Sequence, residues 1–146
     1  MRITSLWAAA MIGAAVAAST PPIEIENAWA RATVPGASNG VAFMTLRAKG
    51  EADQLVSASS PVAGHVDAHS NVMNNGVMEM RPVDAIDVVP GNPTTLAPGG
   101  LHLMLMGLKH PLVEGSTFPL TVRFRKGGSI TVDVKVAGMG AKTAPN

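Results

Sequence analysis

The chain has 146 residues, enough for one domain and too few for two cores of ordinary size. Its formal net charge of +1, without a basic run, excludes the electrostatic footprint of a nucleic-acid binder. It contains no cysteine, so disulfides, thiolate nucleophiles and thiolate metal ligands are all excluded.

Residues 1–19 are expected to be an export signal. Arg2 is followed by an apolar stretch from Leu6 to Val16, with small residues at Ala15, Ala17 and Ala18 that suit cleavage. The stretch falls short of the roughly 20 apolar residues of a membrane span, so no stable membrane insertion is expected after cleavage. No cysteine follows it, so a lipid on a new N-terminal Cys is not expected either. Without Arg2 the mature domain carries ten basic and ten acidic residues and is close to neutral.

The domain, expected over 20–138, consists of short runs rich in Val, Ile, Leu and Thr. They are separated by turn signals such as Pro35-Gly36, Pro90-Gly91, Pro98-Gly99-Gly100 and Gly127-Gly128. These predict strands at 23–32, 40–48, 54–59, 63–70, 77–83, 86–89, 94–97, 101–106, 118–125 and 129–137. The last two flank Lys126-Gly127-Gly128 as a hairpin. The class is all-β, as two packed antiparallel sheets or a Greek-key barrel. Only Trp29, Phe43, Phe118 and Phe124 bring aromatic rings to the mature chain, so the core must be mainly aliphatic. Residues 139–146 are expected to be a flexible tail.

Methionine is the unusual component. Of nine in the chain, Met73, Met78 and Met80 form one cluster and Met104 and Met106 another. In the strand LHLMLM, residues 101–106, alternation puts His102, Met104 and Met106 on one face and three leucines on the other, the natural core face. By the same parity VMEMRPV pairs Met78 with Met80, and HVDAH groups His65, Asp67 and His69.

Thioether sulfur is a soft, neutral donor that favours Cu(I), and imidazole suits copper and zinc. Such a set lacks carboxylate and thiolate and would select Cu(I) over harder divalent ions. Thioethers do not titrate, so acid would weaken the site only through its histidines. Packing accounts equally for single methionines, and Met44, Met73 and Met106 are read that way. His110 is read as a surface residue and Trp29 as core. His65 is read as a surface residue or, with Asp67, as an accessory oxygen and nitrogen site for Cu(II). Strand parity thus singles out His102 and Met104 and leaves both readings of them open.

The spacing H-x10-M-x21-H-x-M resembles the periplasmic copper chaperone family usually called PCu(A)C. So do GVMEMRPV at 76–83, PGGLHLMLMGLKHPL at 98–112 and AWARATVPGASNGVAFMTL at 28–46. The resemblance covers nearly all of the mature chain. It implies a cupredoxin-like Greek-key β-sandwich of two antiparallel sheets, with Cu(I) on His69, Met80, His102 and Met104. It also implies a periplasmic role, in which copper is handed toward the binuclear copper centre of cytochrome c oxidase. The implied partners are the copper-bearing subunit of that oxidase and a Sco-type thiol protein. The chain departs from some members: Ser70 and Asn71 follow His69, and the tail offers only Met139, so a second, tail-borne Cu(II) site is not expected.

The expected function is therefore binding and transfer, without turnover. The rivals are periplasmic copper storage or resistance, a copper redox protein, and a structural sandwich whose methionines only pack. A blue-copper centre would need a cysteine thiolate. No nucleophile elbow, phosphate-cradling glycine loop or close carboxylate pair points to hydrolase or nucleotide chemistry.

Overall fold

The computed structural model describes residues 22–145, and the expected signal, 1–19, lies outside them. The described chain is all-β. Its strands are β1 (Ile23–Arg31), β2 (Asn39–Ala48), β3 (Asp53–Ser59), β4 (Ala63–Asn74), β5 (Val77–Pro82), β6 (Ile86–Val88), β7 (Thr94–Leu96), β8 (His102–Leu108), β9 (Thr117–Phe124) and β10 (Gly128–Ala137).

All ten lie where the sequence predicts them, and β9 and β10 form the expected hairpin. The largest difference is β4, which runs on to Asn74 instead of ending near 70. The cause is local. Asn75 and Gly76 both have positive φ, 52° and 81°, the backbone of a two-residue type I′ turn. That turn folds β5 directly back on β4, pairing Asn74 with Val77 and every residue down to His69 with Pro82.

Two separate antiparallel sheets are not what the hydrogen bonding forms. Pairing runs unbroken through β4, β8, β2, β1, β10, β9 and β3, and β3 returns to β4 through Ala58 and Val66. The result is a closed, barrel-like sheet of seven strands, with β5, β6 and β7 attached to β4, β3 and β2. Closure removes the open edges that two flat sheets would leave. The pair β1 and β10 is parallel, which the long intervening chain permits.

The core is aliphatic as expected. Met44, Leu46, Leu55, Leu103, Leu105, Leu120, Val122 and Val134 are essentially inaccessible, with Phe124 among them. A second, smaller cluster joins Trp29, Phe43 and Ala137, with Trp29 and Phe43 rings 4.7 Å apart. Ala141 and Ala144, from the segment expected to be a flexible tail, pack against it, and Arg31 Nε donates to the Ala141 carbonyl at 2.8 Å.

Candidate metal centre

The turn ahead of β8 sets the first histidine. Gly100 N–H donates to the Ala97 carbonyl at 3.0 Å, with Pro98 and Gly99 between them and Gly99 at φ 86°. Pro followed by a positive-φ Gly is the pattern of a type II turn. The Gly100 carbonyl lies 3.0 Å from His102 Nδ1. A carbonyl only accepts, so Nδ1 carries the proton and Nε2 of the neutral ring keeps its lone pair. Nε2 is buried and has no hydrogen-bond partner in the chain.

Strand alternation then does what the sequence predicts on one side of β8: Leu103 and Leu105 enter the core. The other side is not open, however, because His102 is only 3% exposed and Met104 only 8%. Strands β4 and β2 flank β8 in the sheet, and their side chains stand beside its own on this face. Met104 lies between Asp67 of β4 and Val41 of β2, and His69 sits directly opposite His102.

The two imidazoles meet edge to face, with centroids 5.9 Å apart and planes at 77°. His69 Nδ1 is also buried without a partner. Leaving a buried polar atom unpaired costs about 1–3 kcal/mol, so two in adjacent rings call for a reason. Ring nitrogens in adjacent imidazoles that nothing in the chain satisfies are what a bound cation would require.

Met80 reaches the same face through the hairpin. It pairs with Asn71, two residues beyond His69 on β4, and period-2 alternation puts both on one side. Diagonal neighbours in such a ladder are about 7–8 Å apart, within reach of long side chains. The register therefore brings His69, Met80, His102 and Met104 to one face of β5, β4 and β8, from 56% exposed Met80 inward to the buried pair on β8.

Oxygen donors do not complete the set. Among the described residues there is no group of three or more His, Asp or Glu side chains able to hold a metal. Asp67, opposite Met104, is engaged by His65, whose Nε2 lies 2.8 Å from Asp67 Oδ1. Sulfur is what remains beside the two imidazoles, and that donor set is soft and neutral.

Other residues singled out from sequence separate cleanly. Met44 is core and Trp29 is buried, as expected. His110 is an exposed residue whose Nδ1 lies 3.0 Å from the Pro111 carbonyl. Met106 is half-buried opposite His65. Met73, read as packing, is 66% exposed, because the β4–β5 hairpin runs past the barrel and β5 has no neighbour on its outer side. Sequence reasoning missed the Gly100 carbonyl that fixes the His102 tautomer. The Pro98-Gly99-Gly100 turn was the available signal.

Comparison with known proteins gives a consistent picture. The LpqE-like lipoprotein family model matches residues 23–136. A Leifsonia xyli subsp. xyli protein that carries a lipoprotein name is 34% identical over 116 residues, 78% of this chain and 69% of its own. Among solved structures, the copper-bound PCuAC domain from PmoF2 is similar at TM-score 0.68 and 27% identity, covering 80% of this chain and 93% of that one. The solution structure of Cu(I)-bound DR1885 from Deinococcus radiodurans is similar at TM-score 0.61 and 32% identity, covering 88% of this chain and 85% of that one. The PCu(A)C resemblance read from the motif thus agrees with the structural neighbours.

Proposed function

The chain belongs to the LpqE-like family, and from that premise we propose that it is an exported metallochaperone carrying one Cu(I) on His69, Met80, His102 and Met104. The observation that carries this reading is the pair of orphaned nitrogens, His102 Nε2 and His69 Nδ1, in imidazoles 5.9 Å apart with thioethers on the same face. Copper-bearing structural relatives support the choice of metal. The signal-like start and the lipoprotein names of the family support export to the periplasm. A cupredoxin-like strand arrangement, closed here into one barrel-like sheet, is the finer description of the fold that goes with this reading.

The chemistry suits carriage. Two imidazoles and two thioethers are all neutral, so the loaded centre keeps a formal charge of +1 and gains from the partial exposure that Met80 provides. Release is ligand exchange: an acceptor's donor binds as the Met80 thioether leaves, and copper stays Cu(I). No residue needs to be oxidised and nothing is turned over. The acceptor in this reading is the binuclear copper centre of cytochrome c oxidase, reached alongside a Sco-type protein.

Anaerobic Cu(I) titration against a competing chelator tests the site. Wild-type protein should take up one tight equivalent, and a His102→Leu/Met104→Leu variant should lose it. Stoichiometric binding by the variant would refute the assignment. Delivery is tested by mixing the loaded protein with the isolated copper-bearing domain of the oxidase. Copper should move to the acceptor, and retention on the donor would remove that part of the reading.

A further inference from the structure

The β4–β5 hairpin holds a second group of soft donors outside the four ligands. Met73 and Met78 are directly opposed across the ladder, and Met80 is two residues from Met78 on the same strand. Alternation puts all three on the face that carries His69. The opposite face has no thioether: Ser70 pairs with Arg81, Val72 with Glu79 and Asn74 with Val77, and Arg81 donates to Glu79 at 3.2 Å. The three thioethers thus lie on one side of the ribbon and its charged side chains, Glu79 and Arg81, on the other.

Packing does not explain the three methionines. Met73, Met78 and Met80 are 66%, 55% and 56% exposed, whereas Met44, which does pack, is 1% exposed. Exposing three large apolar side chains side by side is unfavourable, and here it is done with the one apolar side chain that has a donor atom. The positive-φ Asn75-Gly76 turn fixes the register that opposes Met73 to Met78. The trio is therefore a property of a defined ladder, not of a loose loop.

We propose that Met73, Met78 and Met80 form an outer landing site for Cu(I), from which the ion passes inward to the histidine-bearing centre. Met80 belongs to both sites and is the step between them. Rows of thioethers and imidazoles about two residues apart, roughly 6–7 Å along a strand, let the ion change ligands one at a time. Met80 stays bound while the bonds to Met73 and Met78 break and bonds to His69, His102 and Met104 form, so the ion goes from three donors to four and copper remains Cu(I) throughout. Three thioethers hold Cu(I) less firmly than a set with two imidazoles, which gives the transfer its direction. The inference rests on the copper reading of the inner site and adds to it an entry route and, once Met80 is held by the inner ion, a second, weaker equivalent on Met73 and Met78.

The test uses Ag(I), an air-stable soft monovalent probe, with methionine methyl NMR on the full chain. The first equivalent should shift the Met80 and Met104 methyls, and the second those of Met73 and Met78. A Met73→Leu/Met78→Leu variant should keep the first equivalent, lose the second and load the inner site more slowly from a thioether-buffered source. Leucine preserves the apolar surface and removes only sulfur. A hairpin that serves solely to dock another protein would therefore bind and load at the wild-type rate in this variant, and that result overturns the proposal. Unmoved Met73 and Met78 methyls at excess Ag(I) overturn it as well. The His102→Leu/Met104→Leu variant separates this claim from the reading beneath it. There the Met73 and Met78 response should persist while tight binding is gone.

Discussion

Two buried polar sites in this small barrel are built on opposite plans. Asp53, 7% exposed at the start of β3, accepts backbone N–H bonds from Gln54 at 2.8 Å, Lys126 at 2.9 Å and Gly127 at 2.8 Å, and so ties β3 to the β9–β10 turn. His102 is buried more deeply, yet uses one nitrogen on Gly100 and leaves the other without a partner, beside a second orphaned nitrogen on His69. A buried polar group that is fully paired within the chain is architecture. One that is half paired, and oriented by the half it has, leaves a nitrogen that the chain does not satisfy, as the proposed copper site requires.

The contrast breaks most sharply at His102. His102→Leu should lower Cu(I) affinity by more than the roughly 10–100-fold that loss of a supporting partner costs a metal site. Stability should change by only about 1 kcal/mol, because the variant removes an unpaired atom together with one ordinary hydrogen bond. Chelator competition and urea unfolding on the same sample measure both. Asp53→Asn should do the reverse, destabilising by about 1–3 kcal/mol as one N–H acceptor becomes a donor, with Cu(I) affinity unchanged. If the two substitutions acted alike on stability and affinity, the distinction between the sites would fail.

A smaller effect sharpens the metal side. Met80→Leu and Met104→Leu should each cost Cu(I) about tenfold, about 1.4 kcal/mol, while Zn(II) binding at the histidines changes less, since thioether is a poor partner for zinc. Competition titrations with both metals read the ratio. Equal losses would mean that the methionines shape the site without donating to the metal.

Strand positions were legible because Gly and Pro punctuate the chain and aliphatic runs fill the gaps. The leucine face of β8 was legible from parity alone. Neighbour relations were not, because the pairings of β8 with β4 and β2, and the parallel meeting of β1 with β10, join segments far apart in sequence. The burial of His102 and Met104 follows from those neighbours, so a strand read in isolation leaves their face open when it is covered. Met80 is an instructive case. Its common face with His69 follows from the Asn75-Gly76 turn, which sets Asn71 against Met80, so a two-residue turn read from sequence would have derived what the family spacing supplied. Asp53 had no comparable signal, since two of its three partners lie more than seventy residues away on the β9–β10 turn.

The smallest expected effect concerns acid. Burial alone would raise the Asp53 carboxyl, but hydrogen bonds from the Lys126, Gln54 and Gly127 N–H groups, with the Lys126 charge, outweigh it and hold the pKa below 3.8. A carboxylate that titrates lower when folded than when unfolded favours folding wherever it is ionised. Its contribution is whole above the unfolded value near 3.8 and fades as pH falls through the folded one. Wild type and Asp53→Asn should therefore differ by a constant amount between pH 5 and 7 and converge as the pH is lowered below about 4. Urea unfolding across that range, on metal-free protein so that the histidines do not couple to bound copper, measures the difference. A gap that stayed constant to the lowest pH would mean that the three N–H bonds act on Asp53 through geometry and not through its charge.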